Sequence, residues 1–163
     1  MVAFIRRTRP VVFVTGLLAV LLFVFVATRF TGPAIATSGG DPYVVPLVTD
    51  TNPDPTIVET TITAAGAVLD IGTAVDANVL TFNGTIPGPE FRLHVGDTVI
   101  VHYKNNLGHP SGIHWHGIEL DNASDGTPLT QNMVPPGGTF LYKFKVTRPG
   151  IYWYHPHHHS STN

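Results

Sequence analysis

The hydrophobic pattern changes character along the chain. Between Val11 and Ala27 apolar residues run almost unbroken, interrupted only by Thr15 and Gly16. From about Thr56 they come instead as short β-branched or aromatic runs: Ile57–Thr63, Val79–Phe82, Phe91–Val95, Val99–Tyr103, Phe140–Val146 and Ile151–Tyr154. Turn-forming groups such as Asn83-Gly84, Pro87-Gly88-Pro89, Gly96-Asp97 and Pro135-Pro136-Gly137-Gly138 separate these runs, as expected between strands. Residues 140–146 alternate with period two, the signature of a strand with one buried face. No stretch after residue 30 offers an apolar helical stripe. The pattern predicts an N-terminal hydrophobic helix followed by an all-β body, a sandwich or small barrel.

The start resembles a targeting segment. Arg6, Arg7 and Arg9 precede the apolar run, and Ala34-Ile35-Ala36 supplies a small-residue cleavage site. The run is at the short end for spanning a bilayer, so residues 1–36 are expected to be either a signal peptide or a membrane anchor. Either places the body outside the cytoplasm, extracytoplasmic and secreted, periplasmic or cell-surface, with the arginines left inside. Residues 37–55, rich in proline and glycine without periodicity, are expected to form a flexible linker, and 56–163 the body.

Composition narrows the chemistry. Charged residues make up only 12%, about half the usual share, and 16 glycines and 14 prolines favour a turn-rich β protein. All four arginines of residues 1–36 stand without an acid, whereas 37–163 hold all 11 acids against five basic residues. An acidic body argues against nucleic acid as a partner. The absence of cysteine excludes disulfides, thiolate zinc sites and cysteine nucleophiles.

The candidate site lies in two histidine pairs. Ile113-His114-Trp115-His116-Gly117 and Tyr154-His155-Pro156-His157 each place histidines at i and i+2. On a strand these share a face, with attachment points roughly 6.6 Å apart. That separation allows two metals to take one imidazole each, or one metal to sit between them. Two such pairs on neighbouring strands would give four convergent imidazoles, ligands suited to Cu, Zn, Fe or Ni. One pair alone is more often surface decoration; two pairs, both flanked by aromatics, point to a metal site at His114, His116, His155 and His157. His94, His102 and His109 lack a partner at i±2 and are expected to be ordinary strand or loop residues. On a continuing strand His159 would share the face of His155 and His157, as a further donor or a solvent-facing residue, and the role of His158 stays open with it. Trp115, Tyr152 and Tyr154 should point away from the histidines, into the core.

Four motifs in order carry a resemblance: Phe82-Asn83-Gly84-Thr85-Ile86-Pro87-Gly88-Pro89, Gly96-Asp97-Thr98-Val99, Ile113-His114-Trp115-His116-Gly117 and Trp153-Tyr154-His155-Pro156-His157. Together with Asp125-Gly126-Thr127-Pro128 and Pro136-Gly137-Gly138-Thr139-Phe140, they resemble the first cupredoxin domain of multicopper oxidases, a family that includes laccases and cuprous oxidases. The resemblance covers about 56–163 and implies a cupredoxin-like Greek-key β-sandwich. It implies copper as cofactor: His114 on the type 2 copper, His116 and His155 on one type 3 copper, and His157 on the other. In the family these coppers reduce O2 to water with electrons from a reducing substrate, relayed by a type 1 copper.

The resemblance also implies what lies elsewhere. The type 1 copper needs a cysteine, and the remaining trinuclear ligands come from carboxy-terminal cupredoxin domains. The chain is therefore expected to be the partial, C-terminally incomplete first domain of a longer enzyme, inactive alone. The alternative is a stand-alone exported copper-binding module without catalysis. A cupin-like metal enzyme would need a glutamate placed like Glu119, which follows His116 too closely.

Overall fold

A computed structural model describes residues 3–6, 45–72 and 75–157. The body is two four-stranded sheets. Numbered along the chain, the strands are β1 (Ala3–Arg6), β2 (Ile57–Leu69), β3 (Ala77–Phe82), β4 (Phe91–His94), β5 (Thr98–Asn105), β6 (Gly112–His116), β7 (Thr139–Lys145) and β8 (Gly150–His157). One sheet has the order β4-β1-β8-β6 and the other β3-β2-β5-β7. The only helical turn among the described residues is a 3-10 turn at Asn122–Ser124. The all-β expectation holds, with cupredoxin-like sheets. The hydrophobic run 11–27 lies outside the described residues, and among those described no helix is long and apolar enough to cross a membrane.

Alternation builds the core. In β5, Val99, Val101, Tyr103 and Asn105 are buried while His102 and Lys104 face out, the period-two consequence of a pleated strand. In β7, Tyr142 and Phe144 turn inward and Leu141, Lys143 and Lys145 outward. The sheets meet through aromatic rings. Trp115 of β6 contacts Tyr142 and Phe144 of the opposite sheet with centroids 5.7 and 5.0 Å away. Within its own sheet it meets Phe91 at 5.7 Å and Tyr154 at 5.3 Å. Truncating so enclosed an indole to alanine would cost about 3–5 kcal/mol.

One strand is longer than its sequence pattern predicts. β2 runs past Thr63 through Ala64-Ala65-Gly66-Ala67-Val68-Leu69, a stretch with little intrinsic strand preference. Its first half pairs in parallel with β5, and from Ala64 onward it pairs antiparallel with β3, so tertiary pairing supplies what propensity lacks. Residues 45–55, within the expected linker, are hydrogen-bonded to the body: Val48 N–H donates to the Glu90 carbonyl at 3.0 Å, and Glu90 N–H to that of Pro46 at 2.7 Å. Ala3–Arg6, within the segment read as a leader or anchor, pairs in parallel with β4 and antiparallel with β8.

Candidate metal centre

The two histidine motifs lie on adjacent antiparallel strands. In the β6–β8 register Gly112 faces His157, His114 faces His155 and His116 faces Trp153. The intervening Ile113 and Trp115 are buried, as is Tyr154, while Tyr152 packs partly buried against the same core. Trp115, Tyr152 and Tyr154 thus turn away from the histidine face, as their phase along the strands predicts.

Three of the four histidines form a tight group. The metal-capable nitrogens of His114, His116 and His155 all lie within 4.8 Å of one another, the only such grouping of three or more metal-type side chains among the described residues. His157 sits one rung along, its ring centroid 5.7 Å from that of His114 and 5.8 Å from that of His155. His158 and His159 lie outside the described residues.

Hydrogen bonds decide which nitrogens are free. His114 Nδ1 is 2.7 Å from the Asp125 carbonyl oxygen. A carbonyl only accepts, so Nδ1 carries the proton and Nε2 keeps its lone pair. The Asp125 carboxylate stands further off, at 3.5 Å. His155 Nδ1 donates likewise to the Pro156 carbonyl at 3.0 Å, which leaves its Nε2 lone pair facing His116 Nδ1 at 3.4 Å. Two nitrogens each about 2.05 Å from one ion, at a tetrahedral angle, would stand about 3.3 Å apart. The donors therefore fit a shared first-row metal ion. Partial burial lowers the pKa of His155; the Pro156 carbonyl opposes this, and the neighbouring His114, His116 and His157 add to the lowering. The lowering favours the neutral imidazole, the form that binds metal.

The connections around β6 fix this geometry. Buried Asn105 donates to the carbonyls of His109 and Val134 at 2.9 and 2.8 Å and accepts from Leu107 N–H at 3.0 Å, ordering the loop into β6. The Tyr142 hydroxyl accepts from Ile113 N–H at 2.9 Å. Gly126 has a φ of +79°, and a Cβ there would lie 1.6 Å from the Ile113 carbonyl oxygen. Only glycine lets the Asp125 carbonyl reach His114. A groove of about 610 Å3, lined by Leu80, Phe82, Ile86 and Pro87 among others, opens beside Trp153 and His155.

The other described histidines are engaged elsewhere. His94 Nδ1 is 3.5 Å from Asp97, His102 Nε2 is 2.7 Å from Glu59 and His109 Nδ1 is 3.1 Å from the Pro110 carbonyl. Glu119 is exposed and 3.1 Å from Arg148 Nε, its charge committed to that arginine. Sequence reasoning missed Asp125 and Trp153. Asp125-Gly126 stands in one of the motifs that carry the resemblance, but its residue types do not reveal the carbonyl's target. Trp153, two residues before His155, shares the histidines' face by the same period-two rule.

Fold and site define a cupredoxin-like β-sandwich bearing a histidine ribbon on one sheet. Residues 61–163 match the family profile described as multicopper oxidase. The chain belongs to the multicopper oxidase family, whose cofactor is copper. It is 48% identical over 101 residues to the multicopper oxidase MmcO of Mycobacterium tuberculosis, covering 61% of this chain and 20% of that protein. It is also 48% identical over 79 residues to a copper resistance protein A homolog of Pseudomonas syringae pv. tomato, covering 48% of this chain and 13% of that one. The structure superposes on a multicopper oxidase from Campylobacter jejuni, described as a metallo-oxidase, with TM-score 0.64 and 28% identity over 69% of this chain and 24% of that one. The chain thus spans a fifth or less of these curated relatives.

Proposed function

We propose that this chain is the amino-terminal copper-binding portion of an exported multicopper oxidase, outside the cytoplasm, and that it supplies His114, His116, His155 and His157 to a type 2/type 3 trinuclear copper site. His114 would hold the type 2 copper through Nε2, His116 and His155 one type 3 copper, and His157 the other. The observation carrying this is the convergence of imidazole nitrogens: His155 Nε2 faces His116 Nδ1 at 3.4 Å, with His114 in the same group. Bound there, copper supplies the redox chemistry by which the full-length enzyme reduces O2 at the expense of a reducing substrate. The protein's part is to hold the imidazoles in place. The Asp125 and Pro156 carbonyls each accept a hydrogen bond from an Nδ1–H, setting the tautomer, as outer partners of metal-bound histidines do.

The chain contains no cysteine, so a type 1 copper and the remaining trinuclear ligands belong to carboxy-terminal domains of the parent enzyme. The chain alone binds copper and does not turn over phenols. The deciding experiment is a Cu(II) titration of the wild-type chain, a His114→Ala/His116→Ala variant and a His94→Ala/His102→Ala variant. The first pair should remove most binding and the second little. Equal loss from both pairs, or phenol oxidation by the chain alone, refutes the assignment.

A further inference from the structure

On the histidine-bearing side of the β6–β8 ribbon the three facing pairs are Gly112/His157, His114/His155 and His116/Trp153. Trp153 is the one position there that is neither histidine nor glycine. It stands directly across from His116 and two residues before His155, and its indole lies flat on both. Its centroid is 4.6 Å from that of His116 with the planes 22° apart, and 4.3 Å from that of His155 with the planes 30° apart. The histidines meet one another more loosely, at 5.3–5.8 Å and 32–85°. Trp153 also remains 44% exposed, unlike Trp115, whose indole is enclosed in the core. Core packing therefore does not account for a large aromatic at this position.

We infer that Trp153 is a positioning residue that braces His116 and His155 so that both present a nitrogen to one copper ion. The inference rests on the proposal that these histidines hold copper. The two rings it touches are the pair whose facing nitrogens are 3.4 Å apart. His114 has its own anchor in the Asp125 carbonyl and His155 a local one in the carbonyl of the next residue, Pro156; among the described residues His116 meets no such carbonyl, and the indole takes that role. Offset-stacked rings hold each other's orientation, and a site keeps its geometry only when surrounding residues lock its rotamers. A side chain released into three staggered wells spends about a third of its time in any one of them. Freeing His116 would therefore lower the metal-competent population, and the affinity with it, by roughly threefold, and loosening His155 against its Pro156 carbonyl takes the loss toward tenfold at most.

The test compares the wild-type chain with Trp153→Phe, which keeps a stacking ring, and Trp153→Leu, which keeps apolar bulk without one. In the metal-free protein, NMR side-chain couplings and ring relaxation should show single rotamers for His116 and His155 in wild type and Trp153→Phe. Trp153→Leu should show averaging at those two rings and none at His114. Titration with Cu(II) alone should give about three- to tenfold weaker binding for Trp153→Leu and a change of less than about twofold for Trp153→Phe. Averaged His116 and His155 rings in the wild type overturn the brace, as does Trp153→Leu binding copper as tightly as wild type, or equal weakening in both variants. If the wild-type chain takes up no copper at its histidines, the copper assignment fails while the metal-free ring measurements still judge the brace. Should Trp153→Leu not fold, the wild-type rings and the Trp153→Phe titration decide.

Discussion

Replacing Gly126 by alanine isolates the contact that orients His114. At φ +79° an alanine Cβ would sit 1.6 Å from the Ile113 carbonyl oxygen, 2.4 Å from its carbon and 3.0 Å from His114 N. These are backbone atoms of β6, whose strand is paired to β8, so the turn rather than the strand must yield, by nearly 2 Å to restore ordinary contact. Left-handed backbone costs a non-glycine residue about 1–2 kcal/mol. Withdrawing the Asp125 carbonyl forfeits the 2.7 Å hydrogen bond to His114 Nδ1, worth about 1 kcal/mol, and loosened packing brings the total to about 3–5 kcal/mol. Gly96 is the control: its φ is +99° and nothing lies within 4 Å of a Cβ there. Gly96→Ala therefore carries the backbone strain alone, about 1–2 kcal/mol. In thermal unfolding followed by circular dichroism, at about 4 °C per kcal/mol for a body of this size, Gly126→Ala should lose at least twice as many degrees as Gly96→Ala. The His114 Nδ1 proton should also exchange faster in Gly126→Ala alone. Equal losses in the two variants, or an unchanged His114 proton, would refute the view that this close approach positions the histidine.

Tyr142→Phe removes the hydroxyl that accepts from Ile113 N–H at 2.9 Å and leaves a buried donor unpaired; urea unfolding should register a loss of about 1–3 kcal/mol, and no loss would show that water replaces the hydroxyl. For His155, whose folded pKa is lowered chiefly by burial, the unfolded state holds more protons below its ordinary value of about 6.5. The stability this supplies is fully present above that value and is lost as pH falls through it toward the folded value. The urea midpoint of the metal-free chain should therefore fall between pH 7 and pH 5, and His155→Gln should reduce that slope; an unaltered slope rejects the assignment.

Much of this arrangement is legible in the sequence, because the strand period is a strong constraint. The alternation in Ile113-His114-Trp115-His116 and Tyr152-Trp153-Tyr154-His155 already separates an inward aromatic set from an outward histidine set, and burial of Trp115 and Tyr154 agrees with it. What the period leaves undetermined is register across strands. β6 ends at His116 and β8 begins at Gly150, and nothing in the connection between them dictates that His114 falls opposite His155 and His116 opposite Trp153. The indole that touches two histidines was therefore invisible, although its own phase was known. The Asp125 carbonyl was hidden for a related reason: backbone groups carry no residue-type signal, and only the glycine beside it marked the turn. The extension of β2 across Ala64–Leu69 escaped notice because alanine and glycine acquire strand geometry from their partners.

The same alternation explains why the histidines can be held firmly on an exposed ribbon. A one-residue slip of β6 against the core would drive His114 and His116 inward and turn Ile113 and Trp115 out, since every side chain exchanges faces. Each large apolar side chain so exposed would forfeit about 1.5–3 kcal/mol, and the imidazoles would lose water with no buried partner in place. Trp115 stands between the two histidines of β6 and touches Phe91, Tyr142, Phe144 and Tyr154. Its enclosure therefore fixes the translational phase of the strand, while the Asp125 carbonyl and the Trp153 indole fix ring orientation. Phase and orientation are set by different residues. Weakening the core at Trp115 should thus loosen all the β6 histidines together, whereas changes at Gly126 or Trp153 should each release only the rings they touch.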